Sequence, residues 1–356
     1  MFPTWISRLV LLLSVAVLGG CGSSGHTHPG YVTIPSTNQV LGFNINDSSG
    51  SLSPIGGSPF KAGPSPTSAV IHPSRKFVYV GNSQENDISL FTVGASGALT
   101  EVMPRAKAGI TPLALAMDAN GTFLYAANEV SGSVSAYAID SGSGALTQVA
   151  GSPFSTPSPL ALRVSPSGKF LYVANANENT ISIFASNSGK LTQIPGSPIG
   201  AGSAPSSIAI DPAGHFLYST NVTSNTLIAF KIDATSGMLS YIPPVFFVAG
   251  TSPTSATVDP SGKFLYVANV GSNNVSAYTI NSSTGTLSSI SGSPFGTGTE
   301  PVFVTVDTSG TFLYVGNESS KNIFIYKINS SSGALTAASQ ASVNTVVAPT
   351  SMAISQ

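Results

Sequence analysis

Six near-copies of one phrase set the architecture of this 356-residue chain: Phe77-Val-Tyr-Val-Gly-Asn82, Phe123-Leu-Tyr-Ala-Ala-Asn128, Phe170-Leu-Tyr-Val-Ala-Asn175, Phe216-Leu-Tyr-Ser-Thr-Asn221, Phe264-Leu-Tyr-Val-Ala-Asn269 and Phe312-Leu-Tyr-Val-Gly-Asn317. They recur every 46 to 48 residues. A fixed period of this length, carried by strand-forming residues, signals stacked or radial repeats. The repeat also supplies an internal baseline, because a residue that breaks it is a better functional candidate than one that obeys it.

Each unit reads as four strands. Thr254 to Val258, Phe264 to Ala268, Val275 to Ile280 and Leu287 to Ile290 are rich in Tyr, Val, Ile and Thr. Asp259-Pro-Ser-Gly262 and Gly292-Ser-Pro-Phe295 carry turn chemistry. No helical period intervenes. The expected fold is all-β, a seven-bladed β-propeller of four-stranded antiparallel blades. The seventh blade comes from the ends. Tyr31-Val-Thr-Ile34 matches a second strand with no first strand before it. Pro349-Thr-Ser-Met-Ala-Ile-Ser355 matches the first-strand phrase Pro66-Thr-Ser-Ala-Val-Ile-His72. The C-terminal strand therefore completes the N-terminal blade and closes the ring, leaving no open sheet edge. Ten of the eleven tyrosines fall on repeat positions and read as packing between blades.

The start of the chain reads as targeting rather than fold. Arg8 precedes an apolar run from Leu9 to Leu18, too short for a bilayer of ~30 Å at ~1.5 Å per residue. Leu18-Gly19-Gly20-Cys21 then resembles a bacterial lipobox, with Cys21, the sole cysteine, as the lipidated residue. The alternative is an ordinary signal peptide with an incidental cysteine. Residues 1–20 are expected to be a signal peptide, 21–30 a flexible tether whose His26 and His28 read as incidental, with metal binding as the alternative, and 31–356 the propeller. These expectations place the protein outside the cytoplasm, at the membrane through a lipid anchor, as a monomer.

Charged residues make up 8% of the chain, with 13 basic against 14 acidic. That balance offers no footprint for nucleic acid. The only tryptophan, Trp5, lies in the signal segment, which weakens any sugar-stacking reading.

Ser261-Gly-Lys-Phe-Leu-Tyr-Val-Ala-Asn269, Asn274-Val-Ser-Ala-Tyr278 and Ser332-Gly-Ala-Leu-Thr336 resemble the seven-bladed propeller family called lactonase, which includes 6-phosphogluconolactonase. The resemblance covers the chain from residue 31 onward and implies lactone hydrolysis. Active members carry a Gly-Pro-Arg-His phrase before one first strand, a His-Pro strand end and an Asn-Glu step. His72-Pro73, Asn128-Glu129 and Asn317-Glu318 match the latter two. The Arg-His pair is absent, since the residues after each pre-strand proline are Thr67-Ser68, Leu113-Ala114, Leu160-Ala161, Ser206-Ser207, Thr254-Ser255, Val302-Phe303 and Thr350-Ser351.

Chemistry is sought where the repeat breaks. Arg163 stands where the other blades have Val70, Ala116, Ala209, Thr257, Thr305 and Ala353. It either binds an anion in the channel or pairs with Asp118, Asp211 or Glu178. Thr67, Ser68, Ser206, Ser207, Thr254, Ser255 and Phe303 are candidate ligand contacts at the channel mouth. Glu85, Asp87, Glu129, Glu178, Glu300 and Glu318 share one rim, which reads as a solvated edge, with Ca²⁺ as the alternative. No cofactor and no other metal is expected. His72 and Asp118, Asp211, Asp259 and Asp307 read as turn caps, and Tyr241 with Phe246-Phe247 as an apolar patch on blade 5. The leading expectation is a binding or scaffolding module at the cell envelope, for a small polar ligand or an envelope protein. Its rival is a lactone hydrolase at the channel mouth, using Arg163 with Glu129 or Glu318 as base.

Overall fold

The computed structural model describes residues 26–355; the expected signal segment, Cys21 and residues 22–25 of the tether lie outside them. Seven antiparallel sheets form the ring of a seven-bladed propeller. Blade 1 is made of Thr27–Ile34, Gln39–Asn46, Leu52–Pro54, Phe60–Lys61 and, as its innermost strand, Ser351–Ile354. The register Tyr31↔Ala353 and Val32↔Met352 closes the circle. Blades 2 to 7 begin with inner strands Pro66–Ile71, Pro112–Met117, Pro159–Val164, Pro205–Ile210, Pro253–Val258 and Pro301–Val306. The expected tether of residues 21–30 is too long at its C-terminal end. Strand already begins at Thr27, because the backbone keeps pairing out to Thr27↔Asn46 although its side chains carry no apolar pattern.

The recurring phrase explains how neighbouring blades adhere. Its tyrosine is 0–1% exposed in every blade and reaches over the next blade's outer hairpin. Tyr31 donates its hydroxyl to Gly97 O, Tyr79 to Gly144 O, Tyr172 to Gly237 O and Tyr266 to Gly333 O, at 2.7–3.0 Å. Blade 4 has a tighter hairpin, and there Tyr125 meets Ser186 Oγ instead, at 2.7 Å. The phenylalanine of the phrase lies on the same hairpin. A Cβ at Gly144 would sit 2.7 Å from Phe77, and one at Gly237 would collide with Phe170. These glycines also hold positive φ, 75° in both cases, so glycine is required there twice over. Phe-Leu-Tyr and Ser-Gly-x-Leu are thus two halves of one contact, and apolar clusters sit at each blade-to-blade seam.

The expected single outer strand is interrupted in five blades. In blade 6 it forms two pieces, Leu287–Ser289 and Phe295–Gly296, both paired with Asn274–Ile280. The Gly-Ser-Pro-Phe phrase spans the gap, where proline cannot donate to a ladder. The serine repairs it: Ser293 Oγ accepts from Ala277 N at 2.9 Å, as Ser58, Ser152 and Ser197 do in blades 1, 3 and 4.

Candidate functional site

The seven inner strands enclose a central channel, and one ring of it is defined by register. Val70, Ala116, Arg163, Ala209, Thr257, Thr305 and Ala353 each stand opposite the tyrosine of their blade's second strand. Six are small or medium; Arg163 alone is long and charged. It lines a chamber of ≈ 450 Å³ at the hairpin-turn end of the channel, with Asp118, Thr305 and Ser351. It also lines a smaller cavity of ≈ 210 Å³ toward the mouth, and a third of ≈ 160 Å³ beside Asp211 and Thr257.

Arg163 is exposed to the open channel, and the protein packed around that channel lowers its pKa from the ordinary value by desolvation. An arginine stays charged under such a shift. Among the described residues no carboxylate lies within salt-bridge distance of it; the four such contacts are His28 with Asp47 and Arg105 with Glu85, Asp87 and Glu101. The pairing expected with Asp118, Asp211 or Glu178 is therefore not formed.

Asp118 and Asp211 flank Arg163 from blades 3 and 5, and a local sequence difference sets them apart. In blades 6 and 7 the motif is Asp-x-Ser. Asp259 and Asp307 accept a backbone N–H on Oδ1 and the serine hydroxyl of Ser261 or Ser309 on Oδ2. Blades 3 and 5 read Asp118-Ala-Asn120 and Asp211-Pro-Ala213. There Oδ1 accepts from Phe123 N or Phe216 N, each at 2.6 Å, and no hydrogen bond engages Oδ2. Blade 4 itself has Ser165 at this position, its hydroxyl taking the Phe170 N–H at 3.1 Å. The turn caps are thus as expected, but two of them keep an oxygen without a hydrogen bond on residues that line a cavity together with Arg163. Sequence reasoning missed this because the distinguishing residue lies two positions on.

His72 lines the same chamber and is not a free base. Ser74 N donates to its Nδ1 at 3.0 Å, so Nε2 carries the proton and donates to Gly121 O at 3.0 Å.

The expected ligand hydroxyls lie at the mouth, but their oxygens are engaged in hydrogen bonds between blades. A bulge after the strand-opening proline aims Thr67 at Pro112 O (2.8 Å), Ser206 at Pro253 O (2.9 Å) and Thr254 at Pro301 O (3.3 Å). The next residue accepts from the neighbouring blade: Ser68 from Leu115 N, Ser207 from Ala256 N and Ser255 from Val304 N, all at 3.2 Å. These six stitch blades together. Phe303 is 6% exposed and fills the space over Gly316, where any Cβ would run into its ring. It is a wall.

Glu129 and Glu318, the expected bases, are not among the residues lining the three cavities that Arg163 lines. Both sit on loops after second strands, with backbone N–H groups bonded to Thr111 O and Glu300 O. The rim carboxylates do not converge either: among the described residues no group of three His, Cys, Asp or Glu is placed to hold a metal ion. Glu85 and Asp87 are instead tied to Arg105.

A family model described as "Lactonase, 7-bladed beta-propeller" matches residues 30–162, 154–248 and 239–352. No curated protein matches the sequence significantly. Among solved structures, a putative 6-phosphogluconolactonase from Bacteroides uniformis superposes with a TM-score of 0.81 at 21% identity, over 92% of this chain and 99% of that one. One from Bacteroides fragilis gives 0.80 at 22%, over 94% and 99%. A periplasmic gluconolactonase from Pseudomonas aeruginosa gives 0.80 at 18%, over 93% and 99%.

Proposed function

The chain belongs to the seven-bladed lactonase β-propeller family, and from that premise we propose that it opens a sugar lactone by hydrolysis inside its central channel. The observation that carries this is Arg163, an unpaired guanidinium in the same chamber as the free Oδ2 of Asp118. Hydrolysis of a lactone needs a base for water and a donor for the oxyanion. Asp118 takes a proton from water as its oxygen adds to the carbonyl carbon. Arg163 donates to the oxygen on which negative charge develops. The ring C–O bond then breaks, and the leaving oxygen recovers a proton to give the hydroxy acid. A chamber of ≈ 450 Å³ lies within the usual range for small-molecule sites, roughly 300–1,000 Å³.

This reading takes precedence over a pure binding module, because the family, the names of the solved relatives and the channel chemistry agree. One observation favours a protein contact as well: Tyr241, Val245, Phe246 and Val248 are exposed along the outer edge of blade 5. The Leu18-Gly19-Gly20-Cys21 phrase supports a lipid-anchored, extracytoplasmic site of action, to be checked by loss of acyl labelling in Cys21→Ser. The enzymatic proposal is tested by following acid release from glucono-1,5-lactone in a pH-stat. Turnover that falls by about 100-fold or more in Arg163→Ala supports it; no turnover above the spontaneous rate overturns it.

A further inference from the structure

We infer that the channel selects an unphosphorylated substrate, and that the two aspartates flanking Arg163 enforce the selection. The inference deepens the lactonase reading and rests on its placement of the ligand in the channel.

The charge inventory of the walls carries it. Across the three cavities that Arg163 lines, the charged side chains are Arg163, Asp118 and Asp211, while His72 is engaged at both ring nitrogens by Ser74 and by Gly121 O. One cation faces two carboxylates. A phosphomonoester carries about −1.5 to −2 charge at neutral pH and is recognised by clustered cations or several N–H donors. Here it would meet a single guanidinium and the free oxygens of two like charges. A sugar lactone is neutral and its product bears one carboxylate, which one guanidinium matches in charge and in its paired N–H geometry.

The remaining polar groups suit hydroxyls. No side-chain hydrogen bond engages Thr257, Thr305 or Ser351 among the described residues, and each lines a cavity shared with Arg163. Only on the two sides of the arginine blade does a turn aspartate keep Oδ2 without a hydrogen bond among the described residues. In blades 6 and 7 a serine closes the second oxygen.

The test is calorimetric binding of gluconate and 6-phosphogluconate to the purified chain, repeated on Asp211→Asn. The carboxamide of that variant retains an oxygen for the Phe216 N–H, so the cap survives. The expected result is gluconate bound at least about 10-fold more tightly, a gap of ~1.4 kcal/mol, with the gap narrowing in Asp211→Asn. Equal or tighter binding of 6-phosphogluconate overturns the inference, as does failure to bind either acid. Lactone turnover with reversed selectivity leaves the enzymatic reading standing, whereas selective acid binding without turnover removes that reading alone.

Discussion

Arg163 stands opposite Tyr172 in the register of blade 4, the place where every other blade sets valine, alanine or threonine against its tyrosine. Among the described residues no carboxylate pairs with its charge. Stability should therefore not depend on it: Arg163→Ala is expected to leave thermal stability within about 1 kcal/mol of the parent, since the side chain is exposed to the channel and makes no ion pair among the described residues. A melting curve checks this. A loss of several kcal/mol would mean that the guanidinium holds the blades together and is not free for a ligand.

Closure of the ring leans on the contact between Tyr314 and Gly50. The tyrosine hydroxyl of blade 7 donates to the Gly50 carbonyl of blade 1 at 2.9 Å, and Phe312 lies over the same glycine. Tyr314→Phe leaves that carbonyl without its partner and should cost about 1–3 kcal/mol. Gly50→Ala should cost more, because its φ is +70° and its Cβ would collide with the Phe312 ring. Denaturant titration of the two variants gives the order, and equal stability of all three proteins would contradict it.

The buried tyrosines predict how the fold fails at high pH. Burial raises the pKa of Tyr31, Tyr79, Tyr125, Tyr172, Tyr218, Tyr266 and Tyr314 above the ordinary value of 10.0. Above that value the unfolded chain has lost protons that the folded chain keeps, so stability is complete below it and falls as pH rises beyond it. Each such tyrosine adds up to ~1.4 kcal/mol per pH unit to the slope. Tyrosinate absorbance should thus appear in one cooperative step together with loss of β-sheet circular dichroism. Independent titration near the ordinary value with the sheet signal intact would show these hydroxyls to be accessible.

Much of this was legible in the sequence, and what was not has a physical reason. The Phe-x-Tyr phrases gave the blades, and the likeness of Pro349–Ser355 to Pro66–His72 gave the closure, because both are side-chain patterns with a fixed period. Arg163 stood out on the same baseline. The direction of a hydroxyl is a different matter: Thr67 and Ser68 sit at the mouth, but the bulge after Pro66 turns them to the next blade. The extra length of the first strand is equally silent, since backbone pairing from Thr27 needs no apolar residue. Asp118 looked like its relatives Asp259 and Asp307 and shares their capping bond. Its difference is the missing serine two residues on, visible only once it is known which oxygen that serine takes.

The most direct test of a channel lactonase is a double-mutant cycle on kcat/KM for glucono-1,5-lactone, with Arg163→Ala, Asp118→Asn and both together. If the two side chains act on one ligand in one chamber, each single variant should lose about 100-fold or more, and the double variant should be little worse than the slower single. Losses that simply multiply would place the residues in separate roles, and parental rates in both single variants would remove the chemistry from the channel.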